Sequence, residues 1–170
     1  GVIELLDAIE AMTAPPVLGL LTGNLPLGAE LKLTHYHLWH RFEFGAFGDT
    51  TEDRNVIAQS AFENAQGQFS NLSPSEILII GDTPADIHCA QSINARVLAV
   101  ATGNFSEAQL AEHQPTFLAP DLTGITLNIL NTEKPTQPLS RLPPFSHSTR
   151  SLALAIGGVK LISYSARLMA

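Results

Sequence analysis

The chain alternates apolar stretches of two periods. Val2, Leu5, Leu6, Ile9 and Met12 recur at helical spacing, and Pro15-Pro16 closes that pattern. Val17 to Leu21 (VLGLL) is a continuous apolar run ending in Thr22-Gly23-Asn24, as expected of a strand buried on both faces of a parallel sheet. A helix is predicted around Gly28 to Trp39 and a short extended piece near Phe42 to Phe47. Ile57, Ala58, Ala61, Phe62 and Ala65 then form one stripe of a helix following Arg54. A strand at Ile77 to Ile80, a helix over Pro84 to Ile93 and a strand at Arg96 to Ala101 come next. Ser106 and Gln109 have the spacing of a capping box for one more short helix, and Thr116 to Leu118 reads as an edge strand. Strand alternating with helix predicts an α/β, doubly wound parallel-sheet fold.

Charge divides the chain. Up to residue 131 there are fifteen acidic residues against four basic ones, and from 132 to 170 one acid, Glu133, against five bases. The run PTQPLSRLPP (135–144) marks the same boundary, because proline lacks an amide donor and restricts its predecessor. Residues 1–131 are therefore expected to be the folded core, 132–150 a proline-rich linker, and 151–170 a poorly ordered or helical extension interrupted by Gly157-Gly158. An acidic body argues against a nucleic-acid partner. No apolar run reaches the roughly 20 residues of a bilayer span, and the single cysteine, Cys89, has no partner for an internal disulfide. The default expectation is a cytoplasmic address, with Cys89 as a small core residue.

The candidate chemistry lies at strand ends. LIIGDTPAD (78–86) runs from a buried strand into glycine and then places Asp82 and Asp86 four positions apart. In doubly wound folds ligands collect beyond the carboxyl ends of the strands, so this loop and Thr22 to Asn24 can face one site. Two such carboxylates suit a hard cation, and magnesium takes oxygen ligands while keeping waters for a substrate phosphate. Thr22, with the amides near Gly23 and Asn24, offers donors to a phosphoryl oxygen, and Arg54 offers a fixed positive charge. A helix-start aspartate also serves simply as a cap. Asp49, Glu52 and Asp53 read as a solvated loop, and the histidines of THYHLWH (34–40) lie on different helical faces, a poor pattern for a metal.

The segments LGLLTGN (18–24), DRN (53–55) and IIGDTPADIHCAQSINARVLAVATGNFS (79–106) resemble the second, third and fourth motifs of the haloacid dehalogenase (HAD) superfamily of phosphatases, nearest to its phosphoglycolate phosphatase-like branch. The resemblance spans roughly residues 1 to 127. It implies a HAD-like Rossmannoid core, Thr22 as the hydroxyl that binds the transferring phosphoryl group, Arg54 as the neutralising cation, Asp82 and Asp86 as magnesium ligands, and a small phosphorylated metabolite as substrate. The family also has a central strand ending in an aspartate nucleophile, with an acid/base aspartate two residues on, and a cap domain. Neither has a counterpart here, since no apolar run followed by D-x-D precedes Asp82. The core is thus expected to be incomplete, with a gap between the strands at 17–21 and 77–80.

Three outcomes are open for that gap: a longer native gene, a complementing amino-terminal segment, or a marginal fold. Two functions follow, a magnesium-dependent phosphatase of which this chain is an inactive piece, and a catalytically dead binding or assembly module. A receiver domain, which also clusters aspartates at strand ends, is a more distant alternative because its phosphorylated aspartate and partner lysine lack counterparts.

Overall fold

The computed structural model describes residues 1–49, 51, 53–69, 71–125, 129 and the backbone of 153–157. In chain order the elements are α1 (Val2–Glu10), β1 (Val17–Leu21), α2 (Pro26–His35), β2 (Phe44–Ala46), α3 (Arg54–Gln68), β3 (Ile77–Gly81), α4 (Pro84–Ser92), β4 (Arg96–Val100), α5 (Glu107–Ala111), β5 (Phe117–Ala119) and β6 (Ala153–Gly157). The sheet order is β2-β1-β6-β3-β4-β5, and every pairing is parallel.

Strand periodicity distributes the core over two faces. Leu18, Leu20, Leu78, Ile80, Leu98 and Val100 pack with Leu5, Leu6 and Ile9 of α1 and Ala29 and Leu33 of α2. Ile77, Ile79, Val97 and Ala99 point the other way, onto Ile57, Ala58, Ala61 and Ala65 of α3 and Ile87, Cys89 and Ala90 of α4. The run at β3 is apolar throughout, and β4 is apolar after Arg96, whose buried guanidinium donates to the Ile129 carbonyl at 3.1 Å, because both faces are covered: all five residues of each strand are buried.

Helix ends follow from local chemistry. Helix α2 begins earlier and stops sooner than the sequence pattern predicts. Pro26 occupies its first turn, where a missing amide costs nothing, and His37 adopts a left-handed φ of 56° just beyond its end. Residues Trp39–Arg41 form a separate 3₁₀ turn. The capping box at α5 forms as its spacing predicts, with Ser106 accepting from the Gln109 amide and Gln109 Oε1 accepting from the Ser106 amide.

The expected extension at 151–170 is corrected in part. Residues 153–157 form neither a helix nor a disordered tail but a central strand, paired with β1 from Val17↔Ala153 to Leu21↔Gly157 and with β3 from Ile77↔Ala153 to Ile80↔Ile156. The physical reason is the gap itself. Two inner strands present unpaired amides and carbonyls that must find partners, and an uncharged stretch such as ALAIG can pair on both edges at once. The expected linker at 132–150 and the remainder of the extension lie outside the described residues.

Candidate functional site

The loops that leave β1 and β3 stand on either side of β6, hence roughly 10 Å apart at the usual strand spacing of a sheet. Thr22 follows β1 directly and is buried. Its amide donates to the Ala46 carbonyl at 3.0 Å, which fastens the loop to the end of β2. Its Oγ1 accepts from the Asn24 amide at 3.2 Å and from Asn24 Nδ2 at 2.8 Å. Both contacts use the oxygen as acceptor, so the hydroxyl proton is left to donate to an incoming oxyanion. Lys32 Nζ holds Asn24 in turn, donating to Oδ1 at 3.0 Å.

Arg54 opens α3. Asp53 caps that helix by accepting from the Asn55 amide at 2.9 Å, a bond that turns the chain and sets Arg54 in the first turn. A cation there opposes the helix dipole, and Arg54 instead pairs with Asp86, Nη1 to Oδ1 at 2.8 Å. Its guanidinium also lies along Gly23: a β-carbon built on that glycine would stand 3.8 Å from Arg54 Nε and 3.9 Å from Nη2. The Thr22–Asn24 loop, Arg54 and Asp86 therefore form one connected cluster.

Asp86 is fully buried at the third position of α4. Its Oδ2 accepts from the Thr83 amide at 3.1 Å and the Thr83 hydroxyl at 2.7 Å, while Thr83 Oγ1 accepts from the Asp86 amide at 3.2 Å. This is a reciprocal capping box. Thr83 is the cap and Asp86 its partner in the box, so the Asp86 carboxylate serves the helix end as well as pairing with Arg54. Three donors on a carboxylate with about four acceptor positions leave Asp86 room for one more partner. Asp82, also buried, follows β3 directly.

Glycines make this packing feasible. A β-carbon on Gly81 would overlap the Asp86 side chain, with Oδ2 at 2.6 Å, so the glycine between strand and aspartate exists to let α4 close on β3. A β-carbon on Gly103 would fall on Asp82 Oδ2, which makes the turn after β4 a wall of the same site. Gly48 packs on Gly23 in the same manner, and its amide donates to the Asn24 carbonyl at 3.0 Å. Thr83, Gly48 and Gly103 were not singled out from sequence. Only the repeated T-G-N after β1 and β4 hinted at the last of them.

Among the described residues no three His, Cys, Asp or Glu side chains come together as a metal cage. Two carboxylates at a strand end suit an ion that retains several waters and takes the rest of its shell from a substrate. The histidines at 35, 37 and 40 are dispersed over the end of α2, the left-handed residue beyond it and the 3₁₀ turn. Of the acidic loop at 49–53, Asp53 is a helix cap and Glu52 lies outside the described residues.

Cys89 lies behind the site on α4, where its Sγ donates to the Arg54 carbonyl at 3.1 Å. Burial pushes its thiol up to about 11, with the Asp86 charge adding and Arg54 opposing. It is a packing residue of the helix–helix contact. No described helix is long and apolar enough to cross a membrane.

Residues 57–125 match the family model for HAD-hydrolase-like proteins. No curated protein matches the chain. Similar solved structures include a haloacid dehalogenase-like family hydrolase from Streptococcus pneumoniae (TM-score 0.61, 23% identity, covering 71% of this chain and 54% of that one). A predicted phosphoglycolate phosphatase from Haemophilus somnus gives TM-score 0.59 at 25% identity, covering 71% of this chain and 52% of its own. A predicted phosphatase from Clostridium acetobutylicum gives TM-score 0.66 at 18% identity, covering 78% and 59%. The chain thus spans between half and three-fifths of the length of these structures. Residues 57–125 thus resemble the haloacid dehalogenase-like hydrolases, and the parallel sheet shared with these structures gives the chain a haloacid dehalogenase-like fold.

Proposed function

We propose that the lip formed by Thr22, Gly23, Asn24, Arg54, Asp82 and Asp86 holds the phosphoryl group of a small phosphorylated metabolite together with magnesium. The observation that carries this reading is the bridge from Gly23 through the Arg54 guanidinium, thirty-two residues on to the buried Asp86, which joins the loops after β1 and β3. Thr22 donates its hydroxyl proton to a phosphoryl oxygen, and amides of the exposed Gly23–Asn24 loop add further donors. Arg54 presents the guanidinium edge that Asp86 leaves unused, a planar donor suited to phosphate. Asp82, with Asp86 behind it, holds the metal. Magnesium bound there would offset the negative charge of the phosphoryl oxygens. The Haemophilus neighbour supports a phosphoglycolate-like substrate class.

A second reading, a binding module without turnover, is favoured by β6. Leu21 leads into Thr22 and Gly81 into Asp82, whereas Gly157, paired beside Leu21, leads in sequence to Gly158. The central strand of the lip ends without a carboxylate, and in this reading the chain binds a phosphoryl group but forms no covalent aspartyl intermediate. Supplying an amino-terminal strand that ends in D-x-D is expected to restore magnesium-dependent hydrolysis of p-nitrophenyl phosphate, and Asp82→Ala in the same protein to abolish it. Hydrolysis retained by Asp82→Ala would remove the metal assignment.

A further inference from the structure

Away from the lip, two imidazoles that the site does not use face one another. His88 of α4 and His113, in the turn after α5, place Nε2 and Nδ1 3.1 Å apart, with ring centroids at 4.9 Å and planes at 72°. They are separated by twenty-five residues in sequence, so the fold and not local spacing brings them together. Both rest on fixed backbone. His88 is on the exposed side of a helix whose first turn is locked by the Thr83–Asp86 capping box. The His113 amide donates to the Leu110 carbonyl at 3.1 Å, and its carbonyl accepts from Gln91 Nε2 at 2.8 Å, which ties the turn back to α4 one helical turn beyond His88.

We propose that His88 and His113 form an open two-imidazole site for a divalent late transition metal of the zinc or copper class. The nitrogen separation is the argument. With metal–nitrogen bonds of about 2.0 to 2.1 Å, two ligands of a tetrahedral ion lie about 3.3 Å apart and two adjacent ligands of a square-planar ion about 2.9 Å apart. The observed 3.1 Å falls between them, so a metal can take the place of the shared proton once the two rings turn to aim both nitrogens at it. Neutral imidazole is a ligand for such ions and not for magnesium, which prefers oxygen, so the pair is chemically distinct from the carboxylate lip. No third His, Cys, Asp or Glu joins the pair among the described residues, so the other coordination positions are left to water or an external ligand. Occupancy would clamp α4, which carries Asp86, to the turn after α5.

The test is thermal unfolding of the full chain at neutral pH, with and without zinc, together with electron paramagnetic resonance of the copper-loaded protein. Zinc is expected to raise the unfolding temperature of the parent and of Asp82→Asn, and to have no such effect on His88→Asn or His113→Asn. Copper is expected to show coupling to two nitrogens in the parent, lost in either variant. Because His88 is exposed and His113 partly so, both variants should fold, which circular dichroism without metal verifies. A triple His35→Asn, His37→Asn, His40→Asn variant should keep the zinc response. The proposal is overturned if zinc leaves the parent unchanged, or if the response survives in His88→Asn and His113→Asn.

Discussion

Arg54 Nη1 donates to Asp86 Oδ1 at 2.8 Å, joining the first turn of α3 to the first turn of α4. Asp86 is wholly buried while the Arg54 side chain keeps about a third of its exposure, so the pair has a dry end and a wet end. The dry end sets the cost of breaking it. Removing the cation leaves a buried carboxylate with only its two Thr83 donors. Arg54→Ala should lower stability by about 1–3 kcal/mol, at the lower end because water screens the exposed guanidinium. Arg54→Lys should recover part of this without restoring oxyanion binding, since a point charge lacks the guanidinium fork. Urea denaturation of the three proteins measures the difference.

Three glycines separate close packing from open space. Gly103→Ala and Gly81→Ala would drive a methyl group into Asp82 and Asp86 respectively, and each is expected to cost about 1–3 kcal/mol as overpacking. Gly67, inside α3, has nothing within 4 Å of an added β-carbon, so Gly67→Ala should stabilise by about 0.5–1 kcal/mol. Opposite signs in chemical denaturation test the packing account of the lip.

The raised Cys89 thiol gives stability a defined alkaline dependence. A thiol that titrates near 9 when unfolded and at about 11 when folded contributes stability that is complete below pH 9 and lost as pH rises toward 11. The loss should amount to roughly 2–3 kcal/mol. It is read as the difference between parent and Cys89→Ala in denaturation midpoints from pH 8 to 11, and a constant difference would contradict the assignment. In the native protein near pH 8 the thiol should react with a disulfide reagent only upon unfolding.

Strand β6 should be required for the cooperative sheet. Ala155 pairs with Gly19 on one side and Ile79 on the other, so Ala155→Pro removes a central amide and should cost about 3 kcal/mol or more. Amide exchange should then accelerate along β1 and β3 while β4 and β5 change less. Uniform exchange rates in the variant would contradict the central place of β6.

Most of the fold and the lip could be read from sequence because the signals were local. Continuous apolar runs with both faces covered marked β1, β3 and β4, Ser106 and Gln109 marked α5, and the G-D-x-x-x-D spacing marked both carboxylates. What escaped was non-local. ALAIG is five uncharged residues with no period to fix its type, and it becomes a strand because two distant strands lack a neighbour. Gly103 and Gly48 matter through what lies opposite them, which no local pattern reveals. Thr83 was not singled out, and its hydroxyl contact to Oδ2 of a residue also bound to Arg54 emerges only from the fold.

The most direct test of the lip is isothermal titration of the intact chain with inorganic phosphate, with and without magnesium, in the parent, Thr22→Val and Asp82→Asn. Saturable phosphate binding that requires magnesium, weakens in Thr22→Val and disappears in Asp82→Asn is the predicted result. Binding of equal strength without magnesium, or unchanged by either substitution, would contradict a metal-assisted phosphoryl site at the ends of β1 and β3.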